Sequence, residues 1–441
     1  MASCAGYAED LGVVTDAATG VQLTYSTTFS TSALPTPQDL ARNSSGDLAP
    51  EAEKFVTYIT SGLLQVANRQ GKCGSCWAFG IAEALQYATE LAYRRLHRFF
   101  TPSYMSVQYL LSCYDRQDRM CGCRGGDLAE AFAIVGREGT VLEQLFKYDN
   151  SEDTKQSVVP DDLICAQNAG RFLGTCRPCK PGERPSVSAG TVSCIPCAAA
   201  PFPRYFPSEP FRVSGEDVPL EQRVRAIKQE LRRIGPLCGV LGVNSEAIRG
   251  LAGANGKVVR RVGEAPVYSP ASVSRTAVKH AVLIVGYYDP WVSDKRDVSR
   301  RSAAVWICRN SWGPEWGYRV PTVRLVAGRG PGDPPSVVPS VLGGFFNVSM
   351  YDHADEIGLV NATVAFRQVL VRFPGDASPR PLRADDPFTA RLPDLTGVRS
   401  APLRGDVLSG VESQGSHPAP WLARALAVLV AVLAAVLALW E

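Results

Sequence analysis

Residues 70–79, read QGKCGSCWAF, constrain this chain most, because they join a candidate nucleophile to the start of a predicted helix. Cys76 comes directly before residues 77–96, in which apolar residues recur at helical spacing. A thiol in the first helical turn feels the positive end of the helix macrodipole, which favours the thiolate. The glycines before it let the backbone bend sharply and approach a substrate closely. The segment therefore predicts a reactive, nucleophilic thiol at Cys76.

A thiolate needs a proton partner, and the chain contains only four histidines. His97 lies 21 residues beyond Cys76, which is about 30 Å along a continuous helix. His417 lies in a proline-rich stretch outside the predicted folded domain. The choice narrows to His280 and His353, and His280 opens an apolar run that predicts a buried strand. We therefore predict that His280 is the base.

A third candidate, Asn310, follows 30 residues after His280. It comes at the end of a second apolar run, and its amide could orient an imidazole ring. The order Cys, His, Asn along the chain is then complete. For Cys76 the alternative is a buried structural thiol, since free cysteine is among the most buried residue types. The presence of His280 and Asn310, which complete the order Cys, His, Asn, argues against that alternative.

On these motifs the sequence resembles the papain-like cysteine peptidases, and within them the cathepsin B-like branch. By matching positions, the resemblance implies that Gln70 is the oxyanion-hole amide, Cys76 the nucleophile and His280 the base. It implies further that Asn310 holds the imidazole and that Trp312 shields their hydrogen bond from water. The implied partners are protein or peptide substrates, and we expect no cofactor or metal.

Residues 123–126, read CRGG, are similar to the glycine-rich turn of the family. The resemblance implies a disulfide between Cys73 and Cys123. It also implies that the backbone of Gly125 and Gly126 pairs with an extended substrate.

Three neighbouring positions bear on specificity and charge. Asp127 stands where the family often has a side chain lining the second specificity pocket, so either the pocket wall is acidic or the side chain is solvated. Ala281, next to the base, is assigned to substrate contact by the resemblance. Lys279 stands where the family usually has Asn or Asp, and a cation pointing inward there would disfavour imidazolium.

Gly80, residues 83–84 and residues 129–131 favour the cathepsin B-like branch within the resemblance. No histidine lies between Cys123 and His280. The paired-histidine loop with which cathepsin B removes dipeptides from carboxyl ends is therefore missing. We expect an endopeptidase.

The resemblance covers roughly residues 33–373 and implies an α+β fold of two lobes, one helical and one a β-barrel, with the active site between them. Residues 1–32 are expected to form an N-terminal extension. Residues 234–236 resemble the start of the barrel lobe, and residues 355–359 resemble its last core strand.

A Cys-rich insert occupies about residues 160–215. Cys176 with Cys179 and Cys194 with Cys197 form two CxxC pairs at near-zinc-ribbon spacing. The pattern around them resembles the disulfide modules of extracellular receptors, so we favour disulfides over zinc. Their connectivity stays open, because four cysteines allow three pairings. The few basic residues of the insert are not clustered with aromatics, so we expect no nucleic-acid partner.

Thirteen cysteines in 441 residues favour a compartment in which disulfides persist. The formal charge of +3, from 46 basic and 43 acidic residues, implies no polyanionic partner. Sequons at Asn43, Asn347 and Asn361 would mark a glycoprotein only if the domain is lumenal.

Residues 374–420 are rich in Pro, Arg, Gly, Ser and Asp without a sustained period, which predicts a solvated linker. Residues 421–440 are apolar except for Arg424, and as a helix they would span about 30 Å, the thickness of a bilayer core. We expect a C-terminal transmembrane helix. The alternatives are an amphipathic or buried helix and a lipid-anchor signal.

The sequence gives two opposing indications of the side of the membrane on which the catalytic domain lies. No secretory signal peptide is visible in residues 1–30. Arg424 favours a cytosolic catalytic domain, whereas the cysteine content favours a lumenal or extracellular one. We give the cysteines more weight, because the charge signal rests on one residue.

The sequence therefore predicts a membrane-anchored cysteine endopeptidase that acts through a Cys-His thiolate pair and an acyl-enzyme intermediate. The alternative is a catalytically inactive papain-like binding protein that uses the Cys-rich insert as its interaction surface. Lys279 would support the alternative, and the intact set of Gln70, Cys76, His280 and Asn310 argues against it.

Overall fold

A computed structural model of the chain describes residues 13–15, 22–24, 54–59, 63–71, 73–100, 104–114, 122–146, 148, 164–165, 187–188, 191–192, 202–273, 279–326 and 336–391. The two CxxC pairs, the predicted transmembrane segment 421–440 and most of the N-terminal extension lie outside these residues. Within the described ranges, no helix combines the length and the apolar character needed to cross a bilayer.

The described residues form seven α-helices and nineteen β-strands. The helices are α1 (Cys76–Arg95), α2 (Val107–Cys113), α3 (Leu128–Glu138), α4 (Leu220–Ile234), α5 (Ser245–Gly250), α6 (Val298–Ser302) and α7 (Ala354–Ile357). The strands are β1 (Val13–Thr15), β2 (Gln22–Thr24), β3 (Phe55–Thr57), β4 (Arg98–Phe100), β5 (Ile164–Cys165), β6 (Val187–Ser188), β7 (Thr191–Val192), β8 (Arg204–Ser208), β9 (Phe211–Arg212), β10 (Leu237–Gly242), β11 (Val267–Tyr268), β12 (Lys279–Tyr288), β13 (Val305–Arg309), β14 (Tyr318–Val326), β15 (Ser336–Ser349), β16 (Thr363–Ala365), β17 (Gln368–Arg372), β18 (Arg380–Pro381) and β19 (Thr389–Arg391).

Helix α1 carries the candidate nucleophile and is buried over most of its length. Its alanines and leucines combine helix propensity with close packing. Arg94 and Arg95 in the last turn complement the negative end of the macrodipole. The observed bounds differ from the predicted 77–96 by one residue at each end. The helix packs on α2 and α3 and also on β10 and β12, so it joins the helical lobe to the strand lobe.

The strand lobe is a nine-stranded sheet with the order β11-β15-β13-β12-β10-β16-β9, to which β14 adds on β15 and β3 adds on β12. All of these pairs are antiparallel except β11 with β15. Strand β12 is buried at every position after Lys279, as a continuous apolar run predicts. Its first half pairs with β10 and its second half with β13 and β3.

The close approach of α1 to this sheet depends on Gly80, one turn after Cys76. A Cβ added there would overlap the Sγ of Cys238 on β10 and would lie 3.7 Å from the Cβ of Ala281 on β12. The absence of a side chain therefore lets the nucleophile helix lie directly on the strand whose second residue is the candidate base.

The prediction of a core strand at residues 355–359 is wrong. The structure has helix α7 there, followed by a 3-10 turn, and the strand β16 begins only at Thr363. His353 and Gly358, both with left-handed backbone conformations, bound this short helix. The apolar residues of so short a segment do not distinguish a strand from a helical turn.

The prediction of a solvated linker from residue 374 is also wrong for its first part. Strand β18 extends the β8–β17 pair, and β19 pairs with β4. Asp386 is buried and accepts hydrogen bonds from the Tyr93 hydroxyl of α1 at 2.9 Å and from Arg380 at 2.6 Å. The segment is held by polar contacts and strand pairing, so it shows no hydrophobic period that a sequence scan could detect.

Candidate active site

Cys76 is the first residue of α1, and its thiol is fully buried and forms no disulfide. Burial raises the pKa of this thiol to about 11, because a thiolate loses its hydration there. Hydrogen bonds from the backbone of Ala281, Trp77 and Cys76 itself act in the opposite direction. The helix position favours the thiolate, whereas burial, the largest cause of the shift, favours the neutral thiol.

His280 lies at the second position of β12, opposite Leu241 of β10, and its ring is buried. Burial lowers the pKa of the imidazole to about 4, and its hydrogen bond to Asn310 opposes this shift in part. The ring is therefore neutral at pH 7, and one of its nitrogens carries a hydrogen while the other accepts.

The amide of Asn310 determines which ring nitrogen of His280 carries the hydrogen. Nε2 of His280 lies 2.7 Å from Oδ1 of Asn310, and the same oxygen accepts from the backbone N–H of Ser311 at 2.8 Å. An amide oxygen can only accept, so Nε2 of His280 carries the hydrogen. Nδ1 is then the basic nitrogen of the neutral ring.

Trp312 covers the imidazole. Its ring stacks on that of His280 with centroids 4.6 Å apart and planes 29° from parallel. Trp316 packs edge-on against Trp312 at 4.9 Å, and Phe346 packs edge-on against Trp316 at 5.2 Å. This aromatic stack packs over a buried ring, and its shielding of the His280–Asn310 hydrogen bond from water stays a prediction.

Gln70 is joined to the Asn310 segment through Ser311. The backbone N–H of Gln70 donates to the carbonyl of Ser311 at 2.7 Å, and the hydroxyl of Ser311 donates to Oε1 of Gln70 at 2.6 Å. Because Oε1 is the acceptor, the amide nitrogen faces the other way, and Nε2 donates to the carbonyl of Cys73 at 2.9 Å. The structure thus orients the Gln70 amide toward the segment that leads to the nucleophile.

Sequence reasoning missed Ser311 and also missed Tyr148. The hydroxyl of Tyr148 donates to the carbonyl of Gln70 at 2.7 Å and lies 3.0 Å from that of Ser75. Its ring packs edge-on against Phe79 at 4.8 Å. Tyr148 therefore braces both ends of the segment between Gln70 and Cys76. No local signal marks it, because it lies 72 residues beyond Cys76 in the sequence.

The predicted disulfide between Cys73 and Cys123 is confirmed. The backbone N–H of Gly74 also donates to the carbonyl of Cys123 at 2.7 Å. Both links hold the turn that contains Gly125 and Gly126 beside the nucleophile segment. Gly125 has a φ of 115°, a conformation that other residues rarely adopt.

Asp127 has a role that the sequence analysis did not consider. Its side chain is 4% exposed, and its Oδ1 accepts from the backbone N–H groups of Ala129 at 2.9 Å and Glu130 at 3.1 Å. It is the N-cap of α3. The prediction of a simply solvated side chain is therefore wrong. An acidic pocket wall stays a prediction.

The side chains of Lys279 and Ala281, the neighbours of His280 on β12, point to the opposite face of the strand from the imidazole. Successive side chains of a strand point to opposite faces, so Lys279, which is partly exposed, does not share the face of the buried imidazole. Ala281 points toward α1, where its Cβ lies near Gly80. Lys279 therefore does not place a cation on the face of the imidazole, where it would disfavour the imidazolium.

A buried polar cluster, also missed from the sequence, joins α1 to the strand before Asn310. Glu83 of α1 lies 4.0 Å from Arg309 of β13 and accepts from Asn68 at 3.2 Å. Arg309 donates to the hydroxyl of Tyr87, also on α1, at 2.7 Å. Burial raises the pKa of Glu83, and Arg309 opposes that shift. The cluster ties the helix of Cys76 to the segment of Asn310.

The sequence matches the family model described as Papain family cysteine protease over residues 56–193 and 218–327, more than half of the chain. It is 24% identical to cathepsin K of Mus musculus over 301 residues, which cover 68% of this chain and 65% of that protein. It is 26% identical to tubulointerstitial nephritis antigen-like of Homo sapiens over 250 residues, which cover 57% of this chain and 45% of that protein. The aligned parts thus span less than two thirds of these curated relatives.

Among solved structures, the chain is similar to proCathepsin B S9 from Trypanosoma congolense. The sequence identity is 16% and the TM-score 0.43, and the match covers 76% of this chain and 83% of that one.

Proposed function

Because this chain belongs to the papain family of cysteine proteases, we propose that it is a cysteine endopeptidase in which Cys76 attacks the peptide carbonyl and His280 moves the proton. It has the papain-like α+β fold, with a helical lobe and a strand lobe joined by α1. The observation that carries the proposal is the hydrogen bond from Nε2 of His280 to Asn310, which leaves Nδ1 as the basic nitrogen.

The first step transfers the thiol proton of Cys76 to Nδ1 of His280. Burial disfavours the thiolate alone and the imidazolium alone. A single transfer creates both charges at once, and their attraction at short range offsets part of the desolvation. Nε2 of the imidazolium keeps its hydrogen bond to the Asn310 oxygen, which stabilises the positive charge.

The thiolate then adds to the carbonyl carbon of the scissile bond, and negative charge develops on the carbonyl oxygen. The backbone N–H of Cys76 at the start of α1 and the amide nitrogen of Gln70 are the donors proposed for that oxyanion. Collapse of the intermediate breaks the C–N bond, and the leaving amine takes the proton from Nδ1. Water, deprotonated by the same nitrogen, then hydrolyses the acyl-enzyme thioester.

Substrate contacts belong to the same proposal. The Cys73–Cys123 disulfide holds Gly125 and Gly126 beside the nucleophile segment. This supports the proposal that their backbone pairs with an extended peptide. Ala281 and Asp127 are the side chains proposed for the specificity pocket. The assignment to the cathepsin B-like branch stays a prediction, resting on Gly80 and the residues named with it.

One observation favours the inactive alternative. The nucleophile and the base are both buried, and each is held in its neutral form by that burial. A binding protein with this fold would keep the thiol unreactive, whereas a peptidase must form the charged pair when substrate binds.

An epoxide thiol inhibitor separates the two. The full chain is treated with the inhibitor at pH 7, and the adduct is mapped by mass spectrometry, with Cys76→Ser, His280→Ala and His353→Ala as variants. A peptidase gives one adduct on Cys76 that requires His280 and does not require the exposed His353. If the folded chain forms no adduct and hydrolyses no peptide, the protein is the inactive binding protein and the peptidase proposal is wrong.

We also propose a membrane anchor at residues 421–440 and a lumenal or extracellular catalytic domain. The apolar sequence supports the anchor, and the Cys73–Cys123 disulfide supports an oxidising compartment. Deleting residues 421–441 should then release the protein from membranes. A full-length protein that alkaline carbonate strips from membranes would contradict the anchor.

Of the sequons, Asn347 does not support a glycoprotein. It lies buried in β15, where its amide donates to the carbonyl of Val262 at 2.8 Å and accepts from Tyr318 at 3.0 Å. Glycosylation in a lumenal domain is therefore proposed for the partly exposed Asn361, and Asn43 lies outside the described residues.

A further inference from the structure

A cavity of about 170 Å³ lies between helix α4 and the 3-10 turn Pro290–Ser293. The side chains that matter for its chemistry are Glu221, Arg225, Lys228, Trp291, Lys295 and Tyr351. Three of these six carry positive charge and one carries negative charge, so the lining favours an anion.

The cavity is remote from the candidate active site. His280 lies near the start of β12, and the turn Pro290–Ser293 follows its end. The ten residues from 280 to 290 span about 30 Å in extended strand geometry. A ligand in the cavity would leave the catalytic cleft open.

The positively charged side chains of the cavity are not equally available to bind an anion. Lys228 is buried and donates to Oδ2 of the buried Asp289 at 2.5 Å, and Tyr351 donates to the same oxygen at 2.6 Å. This pair forms a fixed, neutral floor. Lys295 pairs with Glu221 at 3.1 Å, but both side chains are more than half exposed. Such a pair is weak and exchanges readily with a competing anion.

Arg225 is the cation left for a ligand. It lies one helical turn after Glu221 and three residues before Lys228, so all three face the same side of α4. Its side chain is exposed, and with the residues that the structure describes it makes no hydrogen bond or ion pair. A guanidinium presents a planar fork of donors that matches a carboxylate in two-point contact.

The aromatic side gives the cavity room and shape. The rings of Trp291 and Tyr351 pack edge to face at 4.8 Å, and the ammonium of Lys295 lies 5.5 Å from the indole centroid. A cavity of similar volume can hold a benzene ring. The site therefore has space for a carboxylate together with the methylene groups that carry it.

We propose that this cavity binds a carboxylate, borne by an acidic side chain of a bound protein or free in solution, with Arg225 and Lys295 as its contacts. In a peptidase the cavity would be a second contact for acidic protein substrates, outside the cleft. That interpretation rests on the proposed function, whereas binding itself does not.

Binding is measured with the full chain carrying Cys76→Ala, so that no peptide is cleaved. The probes are fluorescein-labelled tetraglutamate and its isostere tetraglutamine, both amidated at the carboxyl end, in about 50 mM salt to limit screening. The comparison is between Arg225→Ala and Arg232→Ala. Arg232 is exposed on the same helix, two turns or about 10 Å further along.

We expect tetraglutamate to bind about tenfold more tightly than tetraglutamine. Arg225→Ala should weaken tetraglutamate binding about tenfold, the scale of one charge-assisted contact, and Arg232→Ala should change it less than twofold. Adding Lys295→Ala to Arg225→Ala should abolish the preference for Glu over Gln. Equal affinities of the two peptides, or equal effects of the two arginine variants, would overturn the proposal.

Free glutarate added as competitor distinguishes the two sources of the carboxylate. Displacement at millimolar concentration would support a site that also accepts a free anion. Failure to displace, with the Arg225 effect intact, would support recognition of peptide-borne carboxylates alone. Neither readout depends on hydrolysis, so a chain without peptidase activity can still pass or fail this test.

Discussion

The hydroxyl of Ser311 donates to Oε1 of Gln70 across 2.6 Å, although the two residues are 241 positions apart in the sequence. This contact determines which side of the Gln70 amide presents its donors. It also links the oxyanion-hole candidate to the segment of Asn310, so that two parts of the site are positioned together.

Replacing Ser311 by alanine should therefore lower kcat/KM and also cost about 1–3 kcal/mol of stability, because the buried Oε1 of Gln70 loses this donor. Losing one neutral hydrogen bond is worth about 1 kcal/mol, which corresponds to about a fivefold loss in rate if the bond orients the oxyanion donor. Steady-state hydrolysis of a small peptide is the measurement. Ser302→Ala, an exposed serine at the end of α6, serves as control. Equal kinetics of the two variants would remove Ser311 from the site.

The buried imidazole should make stability depend on pH. The pKa of His280 is lowered from 6.5 to about 4, so between these values the unfolded chain binds more protons than the folded one. The stability contributed by a neutral His280 is complete above about pH 6.5 and is lost as pH falls toward 4, by up to about 3 kcal/mol.

Urea unfolding at pH 7.0, 5.5 and 4.5 measures this loss. Replacing His280 by leucine should flatten the fall of unfolding free energy with decreasing pH, because the shifted group is gone while other titrating groups remain. His353→Leu, at an exposed position, should follow the original protein. Parallel curves for the original chain and the His280 variant would mean that the imidazole is not held neutral by folding.

The buried pair of Glu83 and Arg309 should be sensitive to removal of one partner. Arg309→Met leaves the Glu83 carboxylate buried without its cation, and we expect a loss of about 3–5 kcal/mol in unfolding free energy. The double variant with Glu83→Gln should recover part of it. Arg300→Met, which breaks an exposed pair with Asp297, should cost less than about 1 kcal/mol. Similar losses in both single variants would contradict the role of burial.

The segment after residue 373 should be part of the folded domain. Asp386→Ala leaves the buried Tyr93 hydroxyl without this acceptor and removes one acceptor of Arg380, which should cost about 2 kcal/mol and lower Tm by about 3 °C. The control is Asp385→Ala, which replaces the exposed neighbour of Asp386. Ending the chain after residue 391 should preserve Tm, and ending it after residue 373 should lower Tm. An unchanged Tm on loss of residues 374–391 would restore the linker interpretation.

Local patterns account for the parts of the fold that the sequence predicted. Helix α1 was placed to within one residue, because its periodic apolar residues follow directly from the glycine-rich segment. The apolar run after His280 became the central strand β12 for a similar reason. The helix at residues 354–357 and the strands after residue 373 escaped prediction, because short elements with polar anchors carry no such period.

The sequence by itself determined the candidate chemical groups. With four histidines in the chain, elimination and chain order singled out the candidates Cys76, His280 and Asn310, and the resemblance supplied Gln70 and the Cys73–Cys123 disulfide. These inferences need only residue identity and order.

Only the tertiary structure decided how those groups are held and charged. Ser311 and Tyr148 reach Gln70 from distant parts of the chain, and Asp127, a specificity candidate, also caps helix α3. Burial by both lobes keeps the thiol of Cys76 and the imidazole of His280 neutral, against the effect of the helix macrodipole on the thiol. Desolvation depends on every atom packed around a group, and that surrounding exists only once the chain has folded.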